Sequence, residues 1–160
     1  MALPSVPVAG LAGYRVSVYD NSPENLALVS QRLSAIGAYV VLQGLCPQAA
    51  VDHVIDQVVL TDNLARAGKT VELVSESVFE NLEIKRQVHS QIDALCPPET
   101  IITTNTSTLL VSQIEDVVSA TRAKLFAALH SHLGSTLIDI VLGPRGPRHP
   151  GDLGTLCNQP

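Results

Sequence analysis

Apolar and polar positions change rhythm along the chain so that strand and helix patterns alternate. Tyr14 to Asp20, "YRVSVYD", alternates the two classes at the period of a strand with one buried face, then ends at an acid before a turn. Ser22-Pro23-Glu24 supplies an N-cap, a proline in the first turn and an early acid. Leu26, Val29, Leu33 and Ile36 then recur at helical spacing. Residues 44–57 continue as a second helical piece. Val58-Val59-Leu60, closed by Thr61-Asp62, reads as an edge strand, and "TVELVSES", Thr70 to Ser77, as the next strand. Ile84, Val88, Ile92 and Leu95 mark the face of the following helix. Cys96-Pro97-Pro98 stops it, because proline removes a donor and disfavours helical geometry in the residue before it. "TIITTN" is then a strand, "SQIEDVVS" a short helix opened by the capping-box pattern Ser112-x-x-Glu115, "KLFAALH" a strand, and Thr136 to Leu142 one more.

This alternation predicts an α/β fold with a doubly wound, mostly parallel sheet. It divides the chain into a degenerate N-terminal segment over 1–11, a Rossmann-like domain over 12–142 and a tail over 143–160. In the first of these, "LPSVPVAGL" offers only a candidate strand interrupted by two prolines. The tail holds four Gly and four Pro without periodicity, which predicts disorder. No internal repeat is visible.

Composition narrows the class. A chain of 160 residues has the size of one domain and buries roughly 68–70% of its unfolded surface. Hydrophobic residues make up 46% and aromatic residues 3%, with no Trp, so the core is aliphatic, as in parallel sheets covered by helices. A net charge of −5, with no basic cluster, argues against a nucleic-acid partner. Cys46, Cys96 and Cys157 are widely spaced and odd in number, which fits reduced thiols rather than a disulfide frame or a metal site. The N-terminus lacks a charged n-region and a long apolar run, and no run approaches 18 apolar residues. The expectation is a cytoplasmic protein without a membrane segment, with a mitochondrial or peroxisomal address left open.

Several polar residues sit where strands end. A carboxylate closing a strand ahead of a helix, as Asp20 does, accepts two hydrogen bonds from a ribose diol and repels a 2′-phosphate, so NAD is favoured over NADP. The competing reading is an Asx turn in which Asp20 caps the bend into Asn21-Ser22. Glu80 and Lys85 follow a strand end, where open α/β sheets bind ligands. Equally, Ser77-x-x-Glu80 fits a capping box, and Lys85 fits an exposed helix residue. Ser107 lies in "TNTST", which forms a turn with or without a ligand. Imidazole as a side-chain type suits proton transfer near neutral pH, and His130 supplies one, although a lone histidine on an apolar strand is commonly structural.

Together, "AGYRVSVYD", "SESVFENLEIKRQVHSQID", "TIITTNTSTL" and "FAALHSH" resemble, in family order, the N-terminal domain of the NAD-dependent 3-hydroxyacyl-CoA dehydrogenases. That family includes 3-hydroxybutyryl-CoA dehydrogenases and the lambda-crystallin type of L-gulonate 3-dehydrogenase. The resemblance runs from about Ala12 to about Pro144. It implies Asp20 as the acid on the adenine ribose, and Glu80 and Lys85 as cofactor contacts near the nicotinamide. It also implies Ser107 as the substrate-orienting serine and His130 as the proton acceptor when hydride leaves the substrate's 3-carbon for NAD. The substrate it implies is a small molecule, a 3-hydroxyacyl-CoA or a 3-hydroxy acid.

The chain departs from the family in four places. The family's first strand and G-x-G-x-x-G loop have no match, since Gly10-x-x-Gly13 has the wrong spacing for backbone N–H groups to cradle a pyrophosphate. Leu133-Gly134-Ser135 replaces the family's N-P pair, and Phe79 replaces a proline. Leu142 stands where the family carries the glutamate that orients the histidine. The family's C-terminal helical domain, on which a homodimer depends, has no match. The expectation is a chain truncated at both ends that keeps the ribose site, lacks the pyrophosphate loop and turns over little. A non-catalytic interaction or regulatory module with the same fold is the rival expectation.

Overall fold

The structure is a computed structural model that describes residues 3–130 and the backbone of residues 140–142. The tail over 143–160 lies outside the described residues. The chain opens with a helix, α1 (Ser5–Leu11), where the sequence offers a broken strand. The two prolines explain the difference. Pro4 is the N-cap and Pro7 falls in the first turn, where backbone N–H groups have no intrahelical partner and a missing one is harmless. Gly13, at φ +88°, turns the chain out of α1 in a conformation that favours glycine. Gly10 lets α1 approach α3 (Gln48–Gln57) so closely that a Cβ there would lie 2.2 Å from Val54 Cγ1. Neither glycine stands in a phosphate-binding turn.

β1 (Ser17–Tyr19) leads into α2 (Pro23–Leu42), capped as expected by Ser22, whose side chain accepts from Asn25 N–H. By length and composition α2 is apolar enough to cross a bilayer, with a mean hydropathy of 1.3, which a count of consecutive apolar residues overlooks. Here its Val29 and Leu33 pack with Val18 of β1 and with Leu3 and Val6 in one core. After α3 come β2 (Val59–Thr61) and a short helix, α4 (Leu64–Gly68), that the sequence pattern does not announce. β3 (Leu73–Glu76), α5 (Leu82–Leu95), β4 (Ile101–Thr104) and β5 (Phe126–His130) follow. The helix expected at Ser112-x-x-Glu115 is two 3-10 turns, Val111–Gln113 and Glu115–Val117, and Gln113 rather than Glu115 reaches back, accepting from Leu110 N–H. β6 (Ile140–Leu142) closes the described chain.

The sheet is in two pieces. β1 and β2 pair in parallel, with Val18 opposite Leu60. β3, β4 and β5 also pair in parallel, with Glu76 opposite Thr104 and Thr104 opposite Ala128, and β6 runs antiparallel to β5. β1 and β3 are therefore both edges among the described residues. In a doubly wound order, a strand preceding β1 in the chain would pair with both of them. Among the described residues no such strand is present, and the residues ahead of β1 form α1 (Ser5–Leu11). The larger piece has its own core of Ile92, Ile102, Ile114, Phe126 and Ala128 under α5.

α5 buries a different face from the one its apolar spacing suggests. Lys85, His89 and Ile92 are buried, while Ile84 and Leu95 are substantially exposed.

Candidate functional site

The C-terminal ends of β3, β4 and β5 bring together four of the residues singled out in the sequence or closely tied to them. β4 ends at Thr104, and residues 105–108 turn away from the sheet beside the end of β5. Ser107 Oγ and His130 Nε2 lie 2.7 Å apart, a hydrogen bond in which the hydroxyl donates when that nitrogen carries no proton. The family resemblance placed this serine and histidine in one site, and the geometry joins them directly. Leu142 pairs with Ala128, and His130 stands opposite Ile140. Asp139 and the segment 133–135 lie outside the described residues.

Glu80 holds the turn that presents Ser107. Its Oε1 accepts from Thr106 Oγ1, from Ser107 N–H and Thr108 N–H at 3.1 Å each, and from Thr108 Oγ1 at 2.9 Å. Partial desolvation raises the Glu80 pKa, but the hydrogen bonds from Thr106, Thr108 and Ser107 outweigh it and hold the carboxyl down at about 2. The capping box read at Ser77-x-x-Glu80 does not form. Asn81 is the N-cap of α5 and accepts from Ile84 N–H at 3.1 Å, so Glu80 lies one residue outside the helix and is free to serve the turn.

Lys85 is fully buried, which overturns its reading as an exposed helix residue. Its Nζ lies 3.0 Å from Glu76 Oε1 and 3.8 Å from Glu80 Oε2, and it donates to the carbonyl oxygen of Asn105 at 2.9 Å. Glu76 was missed by the sequence reading. It is buried at the end of β3, where its carboxylate also accepts from Thr104 Oγ1 at 2.6 Å and pairs with His89 Nε2 at 2.9 Å. Burial raises the Glu76 pKa, yet the bonds from His89 and Thr104 and the charge of Lys85 prevail and bring it below the ordinary carboxylate range. A signal was present in the sequence. Glu76 shares the covered face of its strand with Val74, and Lys85 and His89 sit at i and i+4 among the apolar residues of α5. A buried acid requires such partners.

Asp20 stands apart from this cluster, at the end of β1. Its Oδ1 accepts from Ser22 N–H at 2.9 Å and from Asn25 Nδ2 at 3.2 Å, so the Asx turn is formed. Asn25 Nδ2 also donates to Oδ2 at 3.3 Å. A carboxylate offers about four acceptor sites, so this half-buried one keeps a site on Oδ2 for a ribose hydroxyl. The two readings of Asp20 are thus compatible.

These residues fit a nicotinamide dinucleotide at its two ends and not at its middle. An acid ends β1 and a hydroxyl–imidazole pair stands at the ends of β4 and β5. Among the described residues, no glycine turn opens a helix after a strand to receive the pyrophosphate. A cavity of about 320 Å3 lies at the other end of β1, between Gly13, Arg15, His53 and Val54, and holds none of these residues.

Comparison with known proteins identifies the family and its fold. The family described as "3-hydroxyacyl-CoA dehydrogenase, NAD binding domain" matches residues 4–141. A Bacillus subtilis protein named "Probable 3-hydroxybutyryl-CoA dehydrogenase" is 31% identical over 108 residues, 68% of this chain and 37% of its own length. The 3-hydroxyadipyl-CoA dehydrogenase of Escherichia coli is 32% identical over 67% of this chain and 22% of its own length. Among solved structures, a 3-hydroxybutyryl-CoA dehydrogenase from Escherichia coli superposes with a TM-score of 0.72 at 26% identity, covering 82% of this chain and 27% of that one. This chain therefore spans well under half the length of each of these relatives.

Proposed function

The chain belongs to the 3-hydroxyacyl-CoA dehydrogenase family and carries its NAD-binding domain, and from that premise we propose that it binds NAD and presents Ser107 and His130 to a 3-hydroxy substrate. The observation that carries this reading is the 2.7 Å Ser107–His130 pair at the C-terminal ends of parallel strands, where open α/β sheets bind ligands. Asp20 holds the adenine ribose by its free acceptor capacity. Ser107 donates to the oxygen on the substrate's 3-carbon and orients it. His130 takes the hydroxyl proton on Nε2 as the alcohol becomes a ketone, and returns it in the reverse direction. Bound NAD supplies the acceptor for the hydride. Glu80 keeps Ser107 in place from behind. A 3-hydroxyacyl-CoA or a 3-hydroxy acid fits this chemistry, and such a reaction belongs with fatty-acid metabolism.

Without a glycine turn for the pyrophosphate among the described residues, binding is expected to be weak and turnover slow. NADH fluorescence titration tests the reading. Saturable binding in the submillimolar range or weaker, reduced about tenfold in Asp20→Ala, is the expected result. No saturation at several millimolar NADH by a folded chain overturns it and favours the second reading, a module that keeps the fold for protein interaction. The same absence of a phosphate turn is what favours that reading. Micromolar affinity with ready turnover of 3-hydroxybutyryl-CoA would overturn the expectation of impairment.

A further inference from the structure

Beneath the Ser107–His130 pair lies a charged cluster to which the proposed chemistry assigns no task. Glu76 has 4% exposure, and Lys85 and His89 have none. A carboxylate so placed is unfavourable unless its lone pairs are all met, and here they are. Val78 N–H, Lys85 Nζ, His89 Nε2 and Thr104 Oγ1 all bond to its two oxygens. The ring of His89 stands edge-on to Phe126, and its Nδ1 has no partner among the described residues. That unmet nitrogen is accepted to keep Nε2 on Glu76.

The cluster leads in one direction. Lys85 Nζ donates to the Asn105 carbonyl at 2.9 Å, and Asn105 N–H donates to the Glu76 carbonyl at 2.7 Å. Asn105 begins the turn that carries Ser107, and Glu80 grips the same turn from its other side at Ser107 N–H and Thr108 N–H.

We propose that Glu76 is a positioning residue for Ser107: its buried carboxylate fixes Lys85, Lys85 fixes the Asn105 carbonyl, and the 105–108 turn thereby holds the Ser107 hydroxyl against His130. The functional meaning of this arrangement rests on the reading given above, but its geometry does not. Lys85 works here from beneath the turn, between two carboxylates, rather than from the surface. A carboxylate that served packing alone would have no need to pass its charge, through Lys85, to the first residue of the Ser107 turn.

The test uses the full 15N-labelled chain without cofactor and reads the His130 ring 15N shifts and the exchange rate of the Ser107 amide. Glu76→Gln removes the charge. Glu76→Gln/Lys85→Met removes both charges, so that no ion is left unpaired if the single variant fails to fold. Glu76→Asp, with a shorter reach, serves the same comparison should both fail. Asn81→Ala loosens the start of α5 without touching the cluster and controls for general destabilisation. The expected result is Ser107 exchange faster by about tenfold and shifted His130 ring signals in the Glu76 variants, with both unchanged in Asn81→Ala. A folded Glu76 variant with unaltered Ser107 and His130 signals overturns the proposal. NADH titration separates the two readings. If the natural chain binds no NADH while the Glu76 variants move the His130 signals, the functional reading fails and the positioning role stands. If binding is normal and the signals stay fixed, the reverse holds.

Discussion

At the scale of the residue, the two largest buried side chains in the β3–β5 half, Arg122 and Lys85, are charged, and every nitrogen of their charged groups is hydrogen-bonded. Arg122 illustrates this away from the candidate site. Its guanidinium donates to Asp93 at 2.9 Å, to the Pro97 and Thr100 carbonyls at 2.6 Å each, and to the Cys96 carbonyl at 3.2 Å, so it ties the end of α5 to the start of β4. Removing one member of a buried charged pair costs about 3–5 kcal/mol. Asp93 keeps some contact with solvent, with 17% of its side chain exposed. Arg122→Met is therefore expected to lose about 3 kcal/mol, read as a lower urea midpoint with an unchanged slope. A loss under about 0.5 kcal/mol would show the clamp to be idle. Glu80 gives a prediction in pH. Its folded pKa of about 2 lies below its ordinary 4.5, so the unfolded chain binds the proton more readily. Its contribution is present above pH 4.5 and is lost as pH falls from there towards 2. The stability difference between the natural chain and Glu80→Gln should be full at pH 6 and shrink progressively below pH 4.5. A difference that stays constant from pH 6 to pH 3 would show that the carboxylate charge does not hold the turn.

At the scale of the element, packing decides what local pattern leaves open. Gly10→Ala sets two effects against each other. Alanine improves helix propensity by up to about 1 kcal/mol, but its Cβ would meet Val54 Cγ1 at 2.2 Å, and overpacking costs about 1–3 kcal/mol. Because valine has little rotamer freedom on a helix, the clash wins, and a lowered thermal midpoint is expected; a raised one would mean that α1 and α3 separate easily. The same competition explains what could be read from the sequence. The Ser22 cap and the alternation of strands with the longer helices were legible because they depend on local chemistry, as at Ser22 and at Asp20. The capping boxes read at Ser77 and Ser112 did not form. Ser107 and His130 stood out through the family resemblance rather than through local pattern, since His130 ends β5 but Ser107 lies in the turn past the end of β4. The buried face of α5 was not legible, because apolar spacing registers Ile84 and Leu95 but is blind to an ion pair that makes Lys85 a core residue. Nor was α1, whose prolines break a strand and equally suit a first helical turn. The division of the sheet depends on which edges meet, and that is a non-local matter.

At the scale of the whole molecule, the two sheet pieces are unequal. β1 and β2 form a pair of three-residue strands with Val18 as their core contact, and two-stranded sheets are marginal by themselves. β4, by contrast, is bonded on both sides and buries Ile102 and Thr104 completely. The carboxylates Glu76, Glu80 and Asp93, whose pKa values are all lowered in the folded chain, also belong to this second half. Near neutral pH all of them contribute stability there, whereas the carboxylate lowered in the β1–β2 half, Glu24, is exposed at the start of α2 and bonded by Ser22 Oγ. Opening should therefore be graded, with the β1–β2 pair giving way before the β3–β5 sheet. Native-state hydrogen exchange at pH 7 is expected to find the amides bonding β1 to β2 at least about tenfold less protected than those of Ile102 and Thr104, a gap of about 1.4 kcal/mol in opening free energy. Acidification towards pH 3 should narrow that gap, because the multiply bonded carboxylates that lose their contribution lie in the more stable half, whereas Glu24 at the start of α2 is exposed. Equal protection of both halves at pH 7 would mean that they open as one unit and that the division of the sheet carries no energetic weight. A gap that persists at pH 3 would assign the difference to the apolar core beneath α5 rather than to its charges.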